Sequence, residues 1–385
     1  MNVKPINILI IDDSQLVHTL LDKVFAEQGD LVIVGNAYHG EHGVQMAMEL
    51  SPHVIIMDIN MPRMGGLEAI EEIMAEKPTP IIVFSSASRE IIDLSFKAIE
   101  LGAVDLVEKP AARDLSSLKA VIEEKLIKTI RIFADFKVMR RFNRRSADYH
   151  LHAPPAPETK PGPVPAPSPP QREGHRTAGT PEPVAGGLPG EFFVIAVASS
   201  TGGPQLLRDL FSHPLFATLP AGIVIVQHLA EGFVEGFVDW LGSYSSLPVT
   251  IAREGEPLAS GAIQVAPAGR HLGIDHRRRF IHINQPPHYG IRPSADVLFD
   301  SLGRHLGGRL IALILSGMGS DGARSLPTVK EHGGLVIAQD EESSLIFGMP
   351  KAAIDTGLTD AVLNIRDMPD YLARFCLGKA AHHAG

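Results

Sequence analysis

The sequence contains a single cysteine, Cys376, among its 385 residues, so no internal disulfide can form. Such sparse cysteine usage is typical of proteins from reducing compartments, and the first residues lack the apolar core of a signal peptide. The longest apolar runs, such as residues 310–315, fall far short of the roughly 20 residues that span a bilayer. We therefore expect a cytoplasmic protein without membrane insertion.

Basic residues are also too few to cover nucleic acid. The chain has 35 Lys and Arg against 44 Asp and Glu, and its formal net charge is -9. Proteins that bind nucleic acid need a concentrated basic face, and the sequence contains no recognisable motif of a nucleic-acid-binding domain. We therefore expect no nucleic-acid partner. The hydrophobic content of 44% is that of a globular protein, and the length indicates two or three domains.

Aliphatic side chains almost disappear between residues 153 and 190, where proline, glycine and alanine dominate. Such a tract buries too little apolar surface to offset its ordering entropy, so an extended tether is expected. Residues 128–145 mix apolar and basic side chains, which favours a helix that extends the first domain over one that binds membrane or nucleic acid. The predicted organisation is a first domain at 1–127, a helix extension and linker at 128–190, and a second domain at 191–380.

Five short apolar segments alternate with helical patterns in the first domain. The predicted strands are residues 6–11, 31–34, 54–58, 81–84 and 106–107. This alternation predicts a doubly wound parallel α/β sheet, in which ligands collect at the carboxyl ends of the strands. The polar residues at those ends are Asp12, Asp13, Asp58, Ser85 and Lys109.

These polar residues indicate phosphoryl chemistry. Three carboxylates in one crevice repel each other unless a hard cation neutralises them, and Mg²⁺ with oxygen ligands fits that requirement. A lysine beside them suits a phosphoryl oxygen, and an aspartate can attack an activated phosphate to form an acyl phosphate. The simpler alternative is that residues such as Asp13 or Ser14 cap the following helix.

Four segments of the first domain resemble the receiver domain of two-component response regulators. They are Ile-Asp-Asp-Ser, Met-Asp-Ile-Asn-Met-Pro-Arg-Met-Gly-Gly, Phe-Ser-Ser and Glu-Lys-Pro. The resemblance implies a flavodoxin-like five-stranded domain that a sensor histidine kinase phosphorylates at Asp58. It also implies that Asp13, Asp58 and the carbonyl of Asn60 hold Mg²⁺, with Asp12 acting through water, and that Ser85 and Lys109 sense the phosphoryl group. One departure is Leu106, at a position often held by an aromatic residue.

The second domain begins with an apolar run at 192–198 that stops at two serines, a threonine and two glycines. This pattern predicts a strand, a tight turn and a helix, so that Ser200 lies where backbone N–H groups favour negative charge. Further predicted strands at 222–226, 262–265 and 310–315 indicate a second α/β sheet, of mainly parallel order, and lead to His228 and Asp321. The three side chains would meet at one sheet edge.

A serine, a histidine and an aspartate at one edge indicate nucleophilic catalysis. The imidazole removes the proton of the hydroxyl, and the carboxylate orients the imidazole. The N–H of Met318 and donors near Thr201 are candidates for an oxyanion hole. Each residue also has a structural alternative: Ser200 as a helix cap, His228 as a core histidine, and Asp321 in a turn. A serine before two glycines is also compatible with phosphate binding.

Six segments of the second domain resemble the catalytic domain of the chemotaxis protein-glutamate methylesterase (CheB) family. They are Ala-Ser-Ser-Thr-Gly-Gly-Pro, Gln-His-Leu-Ala-Glu-Gly-Phe, Val-Ala-Pro-Ala-Gly-Arg-His-Leu, Arg-Pro-Ser-Ala-Asp-Val-Leu-Phe, Leu-Ser-Gly-Met-Gly-Ser-Asp-Gly-Ala and Ala-Gln-Asp-Glu-Glu-Ser-Ser-Leu-Ile-Phe-Gly-Met-Pro. The resemblance implies a Rossmann-like α/β domain with Ser200 as nucleophile, His228 as general base and Asp321 as orienting acid. Where the family has Gly-Ala before the nucleophile, this chain has Ala198-Ser199, which we expect to crowd the site.

The two resemblances together imply a phosphorylation-regulated serine hydrolase of chemotaxis signalling. Its expected substrates are glutamate methyl esters on the cytoplasmic helices of chemoreceptors, with glutamine deamidation as a second activity and no cofactor for ester hydrolysis. The unphosphorylated first domain is expected to cover the catalytic edge. The principal alternative is a noncatalytic, phosphorylation-switched adaptor, followed by a phosphate- or nucleotide-binding enzyme and by a DNA-binding output. Ser294 is interpreted as a helix cap, with a secondary role at the rim of the site as the alternative. Residues 277–279 are interpreted as a solvated hairpin turn, with contact to an acidic receptor surface as the alternative.

Overall fold

The computed structural model of the chain describes residues 4–86, 88–110, 115–134 and 192–383. The expected tether, and most of the predicted helix extension before it, lie outside the described residues. Within the described ranges, no helix combines the length and the apolar character needed to cross a membrane.

The N-terminal domain is a five-stranded parallel sheet in the order β2-β1-β3-β4-β5. Its strands are β1 (Ile6–Ile11), β2 (Leu31–Ala37), β3 (Val54–Met57), β4 (Ile81–Ser85) and β5 (Asp105–Glu108). This is the flavodoxin-like order, and it confirms the predicted fold class. Because the strand order reverses between β1 and β3, a crevice opens at their carboxyl ends.

Six helices flank this sheet. They are α1 (Gln15–Ala26), α2 (Gly40–Leu50), α3 (Gly66–Glu76), α4 (Arg89–Leu101), α5 (Leu115–Val121) and α6 (Ile127–Phe133), with a π-helical segment, Ile122–Leu126, joining the last two. Ser14 caps α1, since its hydroxyl oxygen accepts a hydrogen bond from the Val17 N–H at 3.5 Å. The capping alternative therefore applies to Ser14.

The C-terminal domain contains a seven-stranded sheet in the order β14-β13-β12-β6-β7-β9-β8, with every pair parallel. Its strands are β6 (Phe193–Ser199), β7 (Ala221–Gln227), β8 (Val249–Ile251), β9 (Ile263–Val265), β12 (Leu310–Ile314), β13 (Leu335–Gln339) and β14 (Ala361–Leu363). The predicted α/β class is confirmed. The sequence pattern identified four of these strands, and the structure adds β8, β13 and β14.

A separate antiparallel hairpin joins β10 (His271–Ile274) to β11 (Phe280–Ile283), and the three arginines 277–279 lie in its turn, as predicted. The helices of this domain are α7 (Gly203–Phe211), α8 (Val234–Gly242), α9 (Ala295–Leu306), α10 (Leu326–Glu331), α11 (Met349–Asp355) and α12 (Met368–His383). β6 and β12 are central neighbours in the sheet, which brings the loops after them together.

The two sheets belong to one compact unit. Ile92 and Phe96 of α4 are buried in the same apolar cluster as residues of α8 and β6. The Phe96 ring stacks on Trp240 with the ring centroids 5.3 Å apart. The core of the C-terminal domain is therefore completed by side chains of the N-terminal domain.

Candidate active site and phosphorylation site

Ser200 lies in the turn between β6 and α7. Its N–H donates to the carbonyl of Ser316 at 3.0 Å, and its own carbonyl accepts from the N–H of Gly203 at 2.8 Å. Gly202 adopts a φ of 78°, which glycine reaches without strain, so the chain turns sharply into the helix. The turn leaves Ser200 partly exposed at the carboxyl edge of the sheet.

His228 and Asp321 form a direct pair at the same edge. His228 Nε2 lies 2.8 Å from Asp321 Oδ2, and the His228 N–H donates to the carbonyl of Ser199 at 2.9 Å. The carboxylate of Asp321 is 2% exposed. Since Nε2 is hydrogen-bonded to the carboxylate, Nδ1 is the ring nitrogen that remains to accept the proton of a nucleophile.

Asp321 accepts further hydrogen bonds from the start of α9. The Ser294 hydroxyl donates to Oδ1 at 2.6 Å, the Ala295 N–H to Oδ2 at 2.7 Å and the Asp296 N–H to Oδ1 at 3.1 Å. Burial opposes ionisation, but the hydrogen bonds from His228, Ser294 and Ala295 outweigh it and lower the pKa of Asp321. Asp321 is therefore held as an acceptor for the imidazole.

The position of Ser294 corrects its interpretation as the side-chain cap of α9. Ser294 is the N-cap residue by position, but its hydroxyl makes no capping hydrogen bond to the helix. It donates to Asp321 instead, and the Asp321 carboxylate accepts the free N–H groups of the first turn. A carboxylate is the stronger acceptor for these amides because it carries a full charge.

Ser200, Thr201, His228 and Met318 line one cavity of about 310 Å³. In the part of the chain that the structure describes, no hydrogen bond joins the Ser200 hydroxyl to His228, so only the histidine–aspartate half of the predicted row is formed. Hydrogen bonds of catalytic groups are often long in the absence of substrate. The structure thus brings the predicted residues to one cavity without completing their hydrogen-bonded row.

The N-terminal domain forms one wall of this cavity, through residues that include Asp105, Leu106 and Glu108. The Thr201 hydroxyl donates to Asp105 Oδ2 at 3.2 Å. Burial raises the pKa of Asp105 to about 6, against the lowering effects of its hydrogen bonds from the Leu106 N–H and Thr201 and of the Lys125 charge. A carboxyl group of one domain thus touches the residue beside the candidate nucleophile of the other.

Polar contacts between α4 and the C-terminal domain surround the Phe96–Trp240 stack. Glu100 Oε1 accepts hydrogen bonds from Trp240 Nε1 and from the Tyr244 hydroxyl, both at 2.5 Å. Gln205 Nε2, on α7, donates to the carbonyls of Ile99 at 2.8 Å and Ala103 at 3.2 Å. The helix that follows Ser200 is therefore bonded to the N-terminal domain.

The candidate phosphorylation site lies at the switch point of the first sheet. Lys109 Nζ is 2.7 Å from Asp12 Oδ2 and 2.7 Å from Asp58 Oδ2, and the Ser85 hydroxyl donates to Asp58 Oδ1 at 2.7 Å. Burial lowers the pKa of Lys109, but the nearby charges of Asp58 and Asp12 outweigh it and raise the pKa overall. Burial raises the pKa of Asp12, and Lys109 opposes that shift.

An acidic cluster at this site has the geometry of a cation site. Oxygens of Asp12, Asp13 and Asp58 lie within 4.8 Å of one another, and Lys109, which pairs with Asp12 and Asp58, supplies one positive charge against three carboxylates. Oxygens bound to one Mg²⁺, each about 2.1 Å from the ion, fall within that spacing, so these residues fit the ion. The Asn60 N–H lies 3.4 Å from Asp58 Oδ1, which places the Asn60 backbone beside the cluster.

Sequence reasoning missed the contacts of two polar side chains at the candidate site. Gln227 is 4% exposed and donates to the carbonyl of Ser200, and Asp105 contacts Thr201 across the domain boundary. The only sequence signal for Gln227 is its place at the end of a strand beside His228. The sequence gives no signal for the contact of Asp105, because its partner Thr201 lies in another domain.

Two family models match the chain. The one described as CheB methylesterase matches residues 195–372, and the one described as response regulator receiver domain matches residues 8–123. Relatives named protein-glutamate methylesterase/protein-glutamine glutaminase match nearly the whole chain. That of Methanospirillum hungatei is 36% identical over 90% of this chain and 92% of its own length, and that of Myxococcus xanthus is 37% identical over 97% of each. Among solved structures, the CheB methylesterase catalytic domain of Thermotoga maritima is 34% identical, with a TM-score of 0.46, over 48% of this chain and 98% of that one.

Proposed function

Because the chain belongs to the protein-glutamate methylesterase/protein-glutamine glutaminase family, we propose that it hydrolyses glutamate methyl esters on the cytoplasmic helices of chemoreceptors. The products are glutamate and methanol, and glutamine side chains are deamidated by the same route with release of ammonia. With these substrates the enzyme works in the cytoplasm. The observation that carries the proposal is the cavity lined by Ser200 and by His228, whose ring is bonded to the buried Asp321.

The proposed reaction is that of a serine hydrolase. His228 Nδ1 takes the hydroxyl proton as Ser200 Oγ attacks the ester carbonyl, and Asp321 stabilises the imidazolium that forms. Collapse of the tetrahedral intermediate expels the methoxy group, which leaves as methanol with the proton from His228. His228 then deprotonates a water that attacks the acyl-enzyme, and Ser200 regains its proton as glutamate departs. The N–H of Met318 and donors near Thr201 are assigned to the oxyanion.

We assign regulation to phosphorylation of Asp58 by a sensor histidine kinase. Lys109, 2.7 Å from Asp58, and Ser85, bonded to Asp58, are suited to hold the added phosphoryl oxygens. Asp12, Asp13, Asp58 and the carbonyl of Asn60 would hold Mg²⁺, which neutralises charge on the acidic cluster and the phosphoryl group. The unphosphorylated receiver, whose Asp105 contacts Thr201, covers the catalytic edge, and phosphorylation shifts the population away from this arrangement.

The test compares purified full-length protein with its Ser200→Ala variant on methyl-labelled receptor membranes, with a small-molecule phosphodonor present. We expect the variant to release methanol at least about 10³-fold more slowly, because the nucleophile is removed. Ser212→Ala, which removes an exposed hydroxyl at the end of α7, is the matched control and should stay within about twofold of wild type. Equal methanol release by wild type and Ser200→Ala would end the proposal.

A further inference from the structure

Gln227 is a buried polar residue beside the proposed catalytic pair. It is the last residue of β7 and pairs in register with Ser199, the last residue of β6. Ser199 is 0% exposed and Gln227 is 4% exposed. The two side chains therefore meet beneath the turns that carry Ser200 and His228, out of contact with solvent.

The amide of Gln227 connects these two turns. Its Nε2 donates to the carbonyl of Ser200 at 2.8 Å and to the carbonyl of His228 at 3.3 Å. Its Oε1 accepts from the Ser199 hydroxyl at 2.6 Å. The amide nitrogen and the amide oxygen of Gln227 are thus both hydrogen-bonded. The two acceptors of the nitrogen are backbone carbonyls of the proposed nucleophile and the proposed base.

The orientation of this amide is fixed by chemistry. Carbonyl oxygens only accept hydrogen bonds, so the amide nitrogen must face Ser200 and His228, and the oxygen must face the Ser199 hydroxyl. The first residue of α7 packs against that oxygen, since a Cβ on Gly203 would lie 2.0 Å from Gln227 Oε1. The hydroxyl of Ser199, which departs from the family pattern, therefore has a defined partner.

We infer that Gln227 is a positioning residue for the proposed hydrolysis and that Ser199 holds its amide in place. This inference rests on the proposed function. Gln227 bonds to backbone carbonyls of Ser200 and His228 rather than to the Ser200 hydroxyl, so it acts by fixing the separation of nucleophile and base. Small displacements of reacting groups slow a reaction far more than they weaken substrate binding. The signature is a loss of kcat at nearly constant KM.

The experiment measures kcat and KM for methanol release from receptor membranes, with phosphodonor present, for full-length variants. Gln227→Met keeps the length of the side chain and removes its hydrogen bonds, and we expect kcat to fall about 30-fold with KM within about twofold. Gln227→Glu keeps the shape but turns an oxygen towards the two carbonyls, so kcat should fall at least as far. Ser199→Ala frees the amide without removing it, and about a threefold loss of kcat is expected.

Gln264→Met is the matched control. Gln264 is also buried in this sheet, accepts from the Ala259 N–H at 3.0 Å and donates to the Pro257 carbonyl at 3.3 Å, but contacts neither Ser200 nor His228. It should lose stability and keep the kcat of wild type. An equal loss of kcat in Gln264→Met, or a Gln227→Glu variant more active than Gln227→Met, would show that Gln227 only fills space and would overturn the inference.

The experiment distinguishes a failure of the proposed function from a failure of the positioning role of Gln227. Wild-type release that does not depend on Ser200 contradicts the proposed function itself, whatever the Gln227 variants do. Release that depends on Ser200, with Gln227→Met and Ser199→Ala both within about twofold of the wild-type kcat, contradicts only the positioning role. Labelling of Ser200 by a fluorophosphonate provides a second readout, which should slow in parallel with kcat in the Gln227 variants.

Discussion

Asp321 accepts hydrogen bonds from a histidine ring, a serine hydroxyl and two backbone amides at the start of α9. The pKa of this buried carboxyl is lowered rather than raised, first by the hydrogen bond and charge of His228 and then by the bonds from Ser294 and the Ala295 N–H at the helix terminus. An amide side chain of the same shape at this position carries no negative charge, and its N–H group would point at one of the donors.

Asp321→Asn should therefore lower kcat by about 10⁴-fold with little change in KM, because the imidazole loses its orienting charge. The measurement is methanol release by the phosphodonor-treated full-length protein. Asp355→Asn, which changes an exposed carboxylate paired with Lys351, serves as the control and should remain near wild type. A kcat within about tenfold of wild type for Asp321→Asn would argue against the assigned role.

Asp105 predicts a pH dependence of the domain contact. Burial raises the pKa of this carboxyl from 3.8 to about 6, although the hydrogen bonds from the Leu106 N–H and Thr201 lower it, so Asp105 takes up its proton at a higher pH than a free carboxyl does. The stabilisation that Asp105 gives to the contact between the two domains is complete below pH 3.8. It is lost as the pH rises through about 6. The basal rate of the unphosphorylated enzyme should rise as the contact weakens.

Asp105→Asn removes this titration and keeps an acceptor for Thr201. The ratio of wild-type to Asp105→Asn basal rates should increase between pH 5 and pH 7, by up to about tenfold. Taking the ratio cancels the titration of groups common to both proteins, including His228. A ratio that is flat over this range would mean that Asp105 does not control the contact.

Residue-level prediction from the sequence was limited to residues whose place in the chain fixes their place in the fold. Ser200 and His228 follow predicted strands, so the edge that they share could be predicted. The partners of Gln227, Ser294 and Asp105 depend on side-chain directions across neighbouring strands and domains, which no periodicity encodes.

At the scale of elements, α4 and α8 pack closely because α8 has a glycine where they meet. A Cβ on Gly236 would lie 2.0 Å from Ile92 Cγ2, so a larger residue fits only if the Ile92 side chain or the helices themselves shift. The close approach also brings Phe96 onto Trp240. The sequence predicted helical segments between the strands, but the contact of these two helices could not be predicted, because an amphipathic pattern identifies a buried face and not its partner.

Gly236→Ala should separate α4 from α8 and raise the basal activity of the unphosphorylated enzyme several-fold, since the closed population falls. The measurement is methanol release without phosphodonor, compared with the phosphorylated rate, which should not change. Gly242→Ala on the same helix is the control, because its Cβ would meet Val249 at an ordinary distance of 3.8 Å. Unaltered basal activity in Gly236→Ala would mean that this packing does not restrain the enzyme.

At the scale of the whole molecule, the proposed phosphorylation site lies in one sheet and the proposed catalytic edge in another. The alternation of strands and helices sufficed to predict the first sheet, including the switch point that gathers Asp12 and Asp58, and four of the seven strands of the second. The three-residue strands β8 and β14 were not predicted, because so short a segment carries too little periodicity to be recognised. The close contact of the domains was expected only from the family resemblance.

Deletion of residues 1–190 should raise the basal rate several-fold, because the wall formed by Asp105 and Leu106 is removed from the cavity. Asp58→Asn in the full chain should keep the low basal rate and lose its response to phosphodonor. Asp22→Asn, on the exposed side of α1, is the control and should respond like wild type. A truncated protein no faster than the unphosphorylated full chain would exclude steric cover as the means of regulation.

The amide nitrogen of Gln205 donates hydrogen bonds to the main-chain carbonyls of Ile99 and Ala103. Every amino acid presents the same carbonyl, so this connection survives substitution at either position. Residues 99 and 103 are therefore free to change during evolution without loss of these two hydrogen bonds. A chimaera carrying the receiver of a distant relative should retain this link, provided that the backbone at the end of α4 follows the same path.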